Sequence, residues 1–164
     1  MHSKIRVLIR QLASERCAET SSWSAKALNT IELRTCIDVD NLDKGIEFYT
    51  QALGLSLGRR LDAAWAELLG APIPLDLLAN PPGSRASVDS TAVRDYRRHW
   101  TPVHLDFVVA DLDSAVRRAE NAGAKLEDGI KVKKWGRLAV LADPFGNGFC
   151  LLELRGRGYD EMLV

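Results

Sequence analysis

Asp143-Pro144-Phe145-Gly146-Asn147-Gly148, followed by Phe149-Cys150-Leu151-Leu152-Glu153-Leu154, is the stretch that decides the fold of this 164-residue chain. Proline fixes φ, while glycine and asparagine tolerate positive φ, so the first six residues concentrate turn chemistry. The apolar run from Phe149 to Leu154 then reads as a strand launched by that turn.

Working back from the turn, Lys134–Ala142 and Lys125–Glu127 read as strands. Before them Asp111 caps a helix that carries Leu112, Ala115, Val116 and Ala119 and runs to Gly123. Val103–Val109 is a strand ahead of that helix. The first half follows the same plan. Residues 31–39 alternate, with Leu33, Ile37 and Val39 on one face and Arg34, Cys36 and Asp38 on the other. Asn41 or Asp40 caps a helix with Leu42, Ile46, Tyr49 and Leu53 at helical spacing, and Gly54 ends it. Strands are expected near 55–59, 63–69 and 74–79. Sliding this half by 70 places Arg34 on His104, Val39 on Val109, Leu42 on Leu112 and Trp65 on Trp135. The coincidences predict a tandem pair of β-α-β-β-β modules over about 31–80 and 101–155. A polar linker over 81–100 joins them, with a helical turn near Tyr96. Residues 1–30 read as an N-terminal extension with a loose amphipathic helix (Ile5, Leu8, Ile9, Leu12), and 156–164 as a tail.

Lys plus Arg and Asp plus Glu number 22 each, which argues against a nucleic-acid or membrane-surface partner. Three cysteines, Cys17, Cys36 and Cys150, are too few and too odd for a disulfide framework. The opening lacks the unbroken apolar core of a signal peptide, and no apolar run approaches the ~18 residues of a membrane span. A cytoplasmic protein is expected. Lys131-Val132-Lys133-Lys134 reads as a solvated edge.

The D-P-x-G-N turn before a final strand, on a doubled β-α-β-β-β frame, resembles the vicinal-oxygen-chelate superfamily of glyoxalases, bleomycin-resistance proteins and extradiol dioxygenases. The resemblance covers 31–154 and implies an α+β fold, two modules forming a curved mixed sheet around a cleft. The cleft closes within one chain or across a homodimer. It also implies a metal site with one ligand from each of four strands, here matching Arg34, Asp76, His104 and Cys150. Arginine has no lone pair to give, so Arg34 is expected to replace the metal by pairing with Asp76, Asp106 or both. No cofactor is therefore expected; if a divalent metal binds, its set is Asp76, His104 and Cys150. Cys36, Asp38 and Asp106 share the cleft face, and Trp65 and Trp135 are candidate ligand-lining aromatics.

The expected function is small-molecule binding of the bleomycin-resistance kind, without the family metal, with an anionic compound seated against Arg34. The alternative is an enzyme on a small carbonyl or carboxylate compound. It would be a metal-free lyase, isomerase or hydrolase with His104 as base, or a metal-dependent lyase or dioxygenase. Fold alone does not choose between them.

Overall fold

The computed structural model describes residues 31–163; the helix expected before Trp23 lies outside them. From Arg34 onward the chain forms one unit. Its elements are β1 (Thr35–Val39), α1 (Leu42–Leu53), β2 (Ser56–Arg60), β3 (Trp65–Leu69) and β4 (Leu75–Ala79). They continue with β5 (Leu105–Val108), α2 (Leu112–Asn121), β6 (Lys125–Lys133), β7 (Gly136–Ala142), β8 (Gly148–Leu154) and a 3-10 helix over Gly158–Met162.

Each half makes a four-stranded mixed sheet of the same order, β1-β4-β3-β2 and β5-β8-β7-β6. The first strand of each half runs parallel to the last and occupies an edge. The helix between them is the crossover that a parallel pair requires. Both helices start on a side chain: Asn41 accepts from the Lys44 amide, and Asp111 accepts from the Ser114 amide. Gly54 closes α1 in the left-handed conformation, φ 70°. Period-two alternation puts Val39, Ala66, Leu68, Leu75 and Leu77 against Phe48, Tyr49 and Ala52 of α1. Ala139, Leu141, Phe149 and Leu151 pack with Ala115, Val116 and Ala119 of α2. The two helices also touch each other, so both sheets share one apolar interior.

The offset of 70 holds in the opening strands, where Cys36 corresponds to Asp106, but has grown to 74 in the last strands, where their register partners Asp76 and Cys150 correspond. It fails in the hairpins. Glu67 is opposite Asp76 whereas Val140 is opposite Cys150, so Leu138, not Trp135, occupies the place of Trp65. The second hairpin is longer and bulged at Asp128-Gly129, both at positive φ, which displaces its register. Trp135 lies in the β6–β7 turn, 5.1 Å from the Tyr159 ring. β6 is an edge strand with Lys131, Val132 and Lys133 exposed.

The Asp143 carboxylate ties the modules together. Its Oδ1 accepts the amides of Phe145 and Asn147, and its Oδ2 accepts Asn147 Nδ2. The Tyr49 hydroxyl of α1 donates to the same Oδ2 at 2.6 Å, and Asn147 Nδ2 also reaches the Asp38 carbonyl of β1 at 3.3 Å. Burial pushes the Asp143 carboxyl up despite these donors, and burial beside that carboxylate pushes the Tyr49 phenol up as well.

The segment between the modules is not the helical turn expected near Tyr96 but an extended strap. Arg85 and Val93 form an isolated bridge, Tyr96 donates to the Asn80 carbonyl at 2.7 Å, and the His99 amide donates to Gly146 at 3.0 Å. Gly146 has φ 85°, and a Cβ there would sit 2.2 Å from the Arg97 carbonyl oxygen. A Cβ at Gly148 would sit 2.3 Å from the Trp100 ring. The glycines of the turn therefore also make room for the strap.

Tyr49→Phe should cost about 1.5–3 kcal/mol, because it strips a donor from a buried carboxylate. Denaturant unfolding measures this; a loss below about 0.5 kcal/mol would show that the bond does not hold the modules together.

Candidate functional site

The open face of the first sheet carries a charge clasp. Arg34 precedes β1, and its Nε and Nη2 donate to the two Asp76 oxygens at 2.8 and 2.6 Å. Nη2 also donates to Glu67 at 2.6 Å, and Arg59 makes a second two-pronged pair with Glu67 at 2.8 and 2.7 Å. Asp76 and Glu67 are 3% and 4% exposed, so their charges need these partners. The bonds from Arg59 and Arg34 hold Glu67 down at about 2. Their reciprocal effect raises Arg34, through Asp76 first and then Glu67. The expected pairing of Arg34 with Asp76 is present. Glu67 and Arg59 were not anticipated; their only signal is that they alternate with Trp65 and Leu57 on strands that read as apolar.

Asp106 and Asp38 do not balance Arg34. Asp38 accepts Arg94 Nε and Asn80 Nδ2, each at 2.8 Å. Asp106 belongs to a second cluster, on the other sheet, with His104 Nε2 at 3.2 Å from its Oδ1. Cys150 is buried as the register partner of Asp106; burial first, and then that carboxylate, push its thiol up to about 12. A thiol held protonated in this way is a poor nucleophile. The donor atoms of His104, Asp106 and Cys150 lie within 4.8 Å of one another. Asp106 thus takes the place expected for Asp76 in that set, because Asp76 is spent on Arg34.

A four-strand metal centre at positions 34, 76, 104 and 150 does not fit these residues. Arg34 supplies no lone pair, and its guanidinium holds the Asp76 carboxylate on both oxygens.

A cavity of about 810 Å³ opens between the edges of β1 and β5, under the strap. Cys36, Asp38 and His104 reach it from the strands, with Ile37, Phe107 and Phe149 forming apolar wall. The strap contributes Arg94, Tyr96 and His99 among others, and no motif in the sequence marked them. Arg34, Asp76, Cys150, Trp65 and Trp135 are not among the lining residues. His104 is held from behind by Trp100, whose ring centroid is 4.6 Å away and which carries the Arg98 guanidinium on its face at 5.5 Å.

Arg34→Leu should cost about 3 kcal/mol, the low end for breaking a buried pair, since Arg34 is 31% exposed. Adding Asp76→Leu should recover much of that loss in denaturant unfolding; no recovery would mean the clasp is not the source. The lowered Glu67 contributes stability that is complete above its ordinary 4.5 and is lost as pH falls toward about 2. Glu67→Gln should therefore flatten the acid dependence of stability across that window, and an unchanged acid limb would contradict the assignment.

The profile of the family described as a glyoxalase-like domain matches residues 34–152. DnrV, an anthracycline biosynthesis protein of Streptomyces peucetius, is 34% identical over 122 residues, which make 73% of this chain but 40% of DnrV. The chain thus matches well under half the length of that relative. FosX, a genomically encoded fosfomycin resistance protein of Listeria monocytogenes, shares the fold with a TM-score of 0.57 at 16% identity, over 77% of this chain and 94% of FosX. A glyoxalase/bleomycin resistance protein from Streptomyces sp. CB03234 gives a TM-score of 0.51 at 25% identity, over 74% of this chain and 99% of its own. With the paired β-α-β-β-β sheets and the Asp143 turn, the match over 34–152 places this chain in the glyoxalase-like domain family of the glyoxalase/bleomycin resistance/dioxygenase superfamily.

Proposed function

We propose that the protein binds a small organic molecule in the cavity between β1 and β5, with no metal centre shared by the two sheets. The cavity itself carries the reading: about 810 Å³, partly roofed, with an apolar wall and a few convergent polar groups, is the form of a small-molecule site. The cations along it are already matched. Arg94 is bonded to Asp38, Arg97 to Asp95 and Arg98 to Glu127. Arg34, the anion seat expected from the sequence, is matched by Asp76 and Glu67. This favours a neutral, largely aromatic ligand over a carboxylate. The relationship to an anthracycline biosynthesis protein supports a role beside biosynthesis of such a compound.

A second reading rests on His104, which lines the cavity with Asp106 close enough to orient its imidazole, as a general base requires. Turnover of a bound compound that disappears in His104→Ala, with binding retained, would favour that reading.

In a thermal-shift comparison, naphthol should raise the melting temperature more than naphthoate. Thr35→Trp, which places a large ring in the cavity, should weaken the neutral probe at least tenfold, about 1.4 kcal/mol. An undiminished response in a folded Thr35→Trp protein would put binding elsewhere. Tighter binding of the acid, lost in Arg34→Lys, would restore the anion seat at Arg34.

No helix among the described residues is long and apolar enough to cross a membrane.

A further inference from the structure

We infer that the cavity between β1 and β5 selects aromatic compounds that carry hydroxyl groups, which donate to two bare imidazole nitrogens, Nε2 of His99 and Nδ1 of His104. This narrows the cavity reading, on which it rests, by naming the polar group that the ligand must offer. His99 comes from the strap and His104 from the approach to β5, and both line the cavity. Each ring has one nitrogen set against a group that can only accept. His99 Nδ1 lies 2.9 Å from the Arg97 carbonyl oxygen, and His104 Nε2 lies 3.2 Å from Asp106 Oδ1. A neutral imidazole carries one hydrogen, and an acceptor beside one nitrogen favours that hydrogen there. The other nitrogen is then a lone pair, Nε2 in His99 and Nδ1 in His104.

The rest of the wall explains why the ligand has to donate. Most side-chain donors along the cavity are already directed at partners inside the protein. Tyr49 donates to Asp143, and Tyr96 donates to the Asn80 carbonyl. The Asn147 amide is turned to Asp143 and to the Asp38 carbonyl, and the Thr101 hydroxyl to the Val103 carbonyl. Arg94, Arg97 and Arg98 face Asp38, Asp95 and Glu127. Thr35 and Cys36 remain, a hydroxyl that turns either way and a weakly donating thiol. Beyond its apolar wall, the cavity therefore offers mainly acceptors. A ligand with no hydrogen to give would leave those lone pairs desolvated and unmatched, a cost that a donating hydroxyl avoids.

Both imidazoles are held before a ligand arrives. The His99 amide is bonded to the Gly146 carbonyl at 3.0 Å, so the Asp143 turn fixes the backbone that carries this ring. Trp100 packs on the His104 ring, and the missing Cβ of Gly148 leaves Trp100 the room to do so. Acceptors fixed in advance lose little freedom on binding, which favours discrimination between ligands of similar frame. Phe107 and Phe149 supply apolar wall for the ring system itself. A hydroxylated aromatic compound meets both demands. An aliphatic alcohol lacks the flat apolar frame, and an aryl ether lacks the hydrogen.

Isothermal titration of the full-length protein with naphthol and with its methyl ether tests the selection. The two share a ring frame, and the ether is the more apolar, so transfer out of water alone favours the ether. We expect naphthol to bind about tenfold tighter or more, because only its hydroxyl donates. His99→Phe and His104→Phe each keep a flat ring while removing a lone pair. Each should reduce the preference, and the double variant should abolish it while the ether's affinity stays largely unchanged. Equal or tighter binding of the ether by the unaltered protein would overturn the inference, as would a preference that survives in the double variant. In either case the cavity reading stands if Thr35→Trp still weakens both probes. Binding of neither probe, or of both undiminished in a folded Thr35→Trp protein, would overturn the cavity reading and this inference with it.

Discussion

One buried carboxylate sets the geometry on which the rest of this domain depends. Asp143 receives two backbone amides and the side-chain amide of its own turn, and then the Tyr49 hydroxyl from the other module. A carboxylate in such a place is costly to desolvate, and the donors around it are what make its burial tolerable. The cost has a structural consequence. The first helix has to approach the last turn closely enough for Tyr49 to donate, which brings both sheets onto one interior. The same turn seats the strap through Gly146 and Gly148, so the roof of the cavity depends on it too.

The two ionic clusters differ in how much freedom they leave. In the first sheet two guanidiniums and two carboxylates neutralise one another in a nearly closed clasp, so neither a metal nor an anion finds an unmatched charge there. In the second sheet the carboxylate of Asp106 has beside it only an imidazole, at 3.2 Å, and a neighbouring thiol. Starting from similar strand positions, one half has fixed its charges internally and the other has kept exchangeable ones. That asymmetry sends the functional reading toward the strap, the cavity and the second module, away from Arg34.

The fold was largely legible in the sequence because its signals are local. The Asp143–Gly148 turn, the Asn41 and Asp111 caps, and the alternation of β1 and β5 each depend on residues adjacent in the chain. The pairing of Arg34 with Asp76 was expected only as one option beside Asp106, from a resemblance that sets positions 34 and 76 at one centre; the strand register itself puts Cys36, not Arg34, beside Asp76. What was not legible depends on long-range geometry. Glu67 is an acid in an otherwise apolar strand, and only the neighbouring strands bring Arg34 and Arg59 to it. The match of Trp65 with Trp135 was misleading because the longer second hairpin adds residues, so that the offset at β7 is 73 (138 − 65) rather than 70. The strap is rich in polar residues and looks like a linker; its docking is decided by absent Cβ atoms some fifty residues away.

The central claim, that a single buried turn makes the two modules one cooperative body, is most directly tested by native-state hydrogen exchange. The account predicts that core amides of β4, β8 and the Asp143 turn exchange through the same opening, with one free energy and one denaturant dependence. A first sheet that opens at distinctly lower free energy while β8 and the turn stay protected would contradict it.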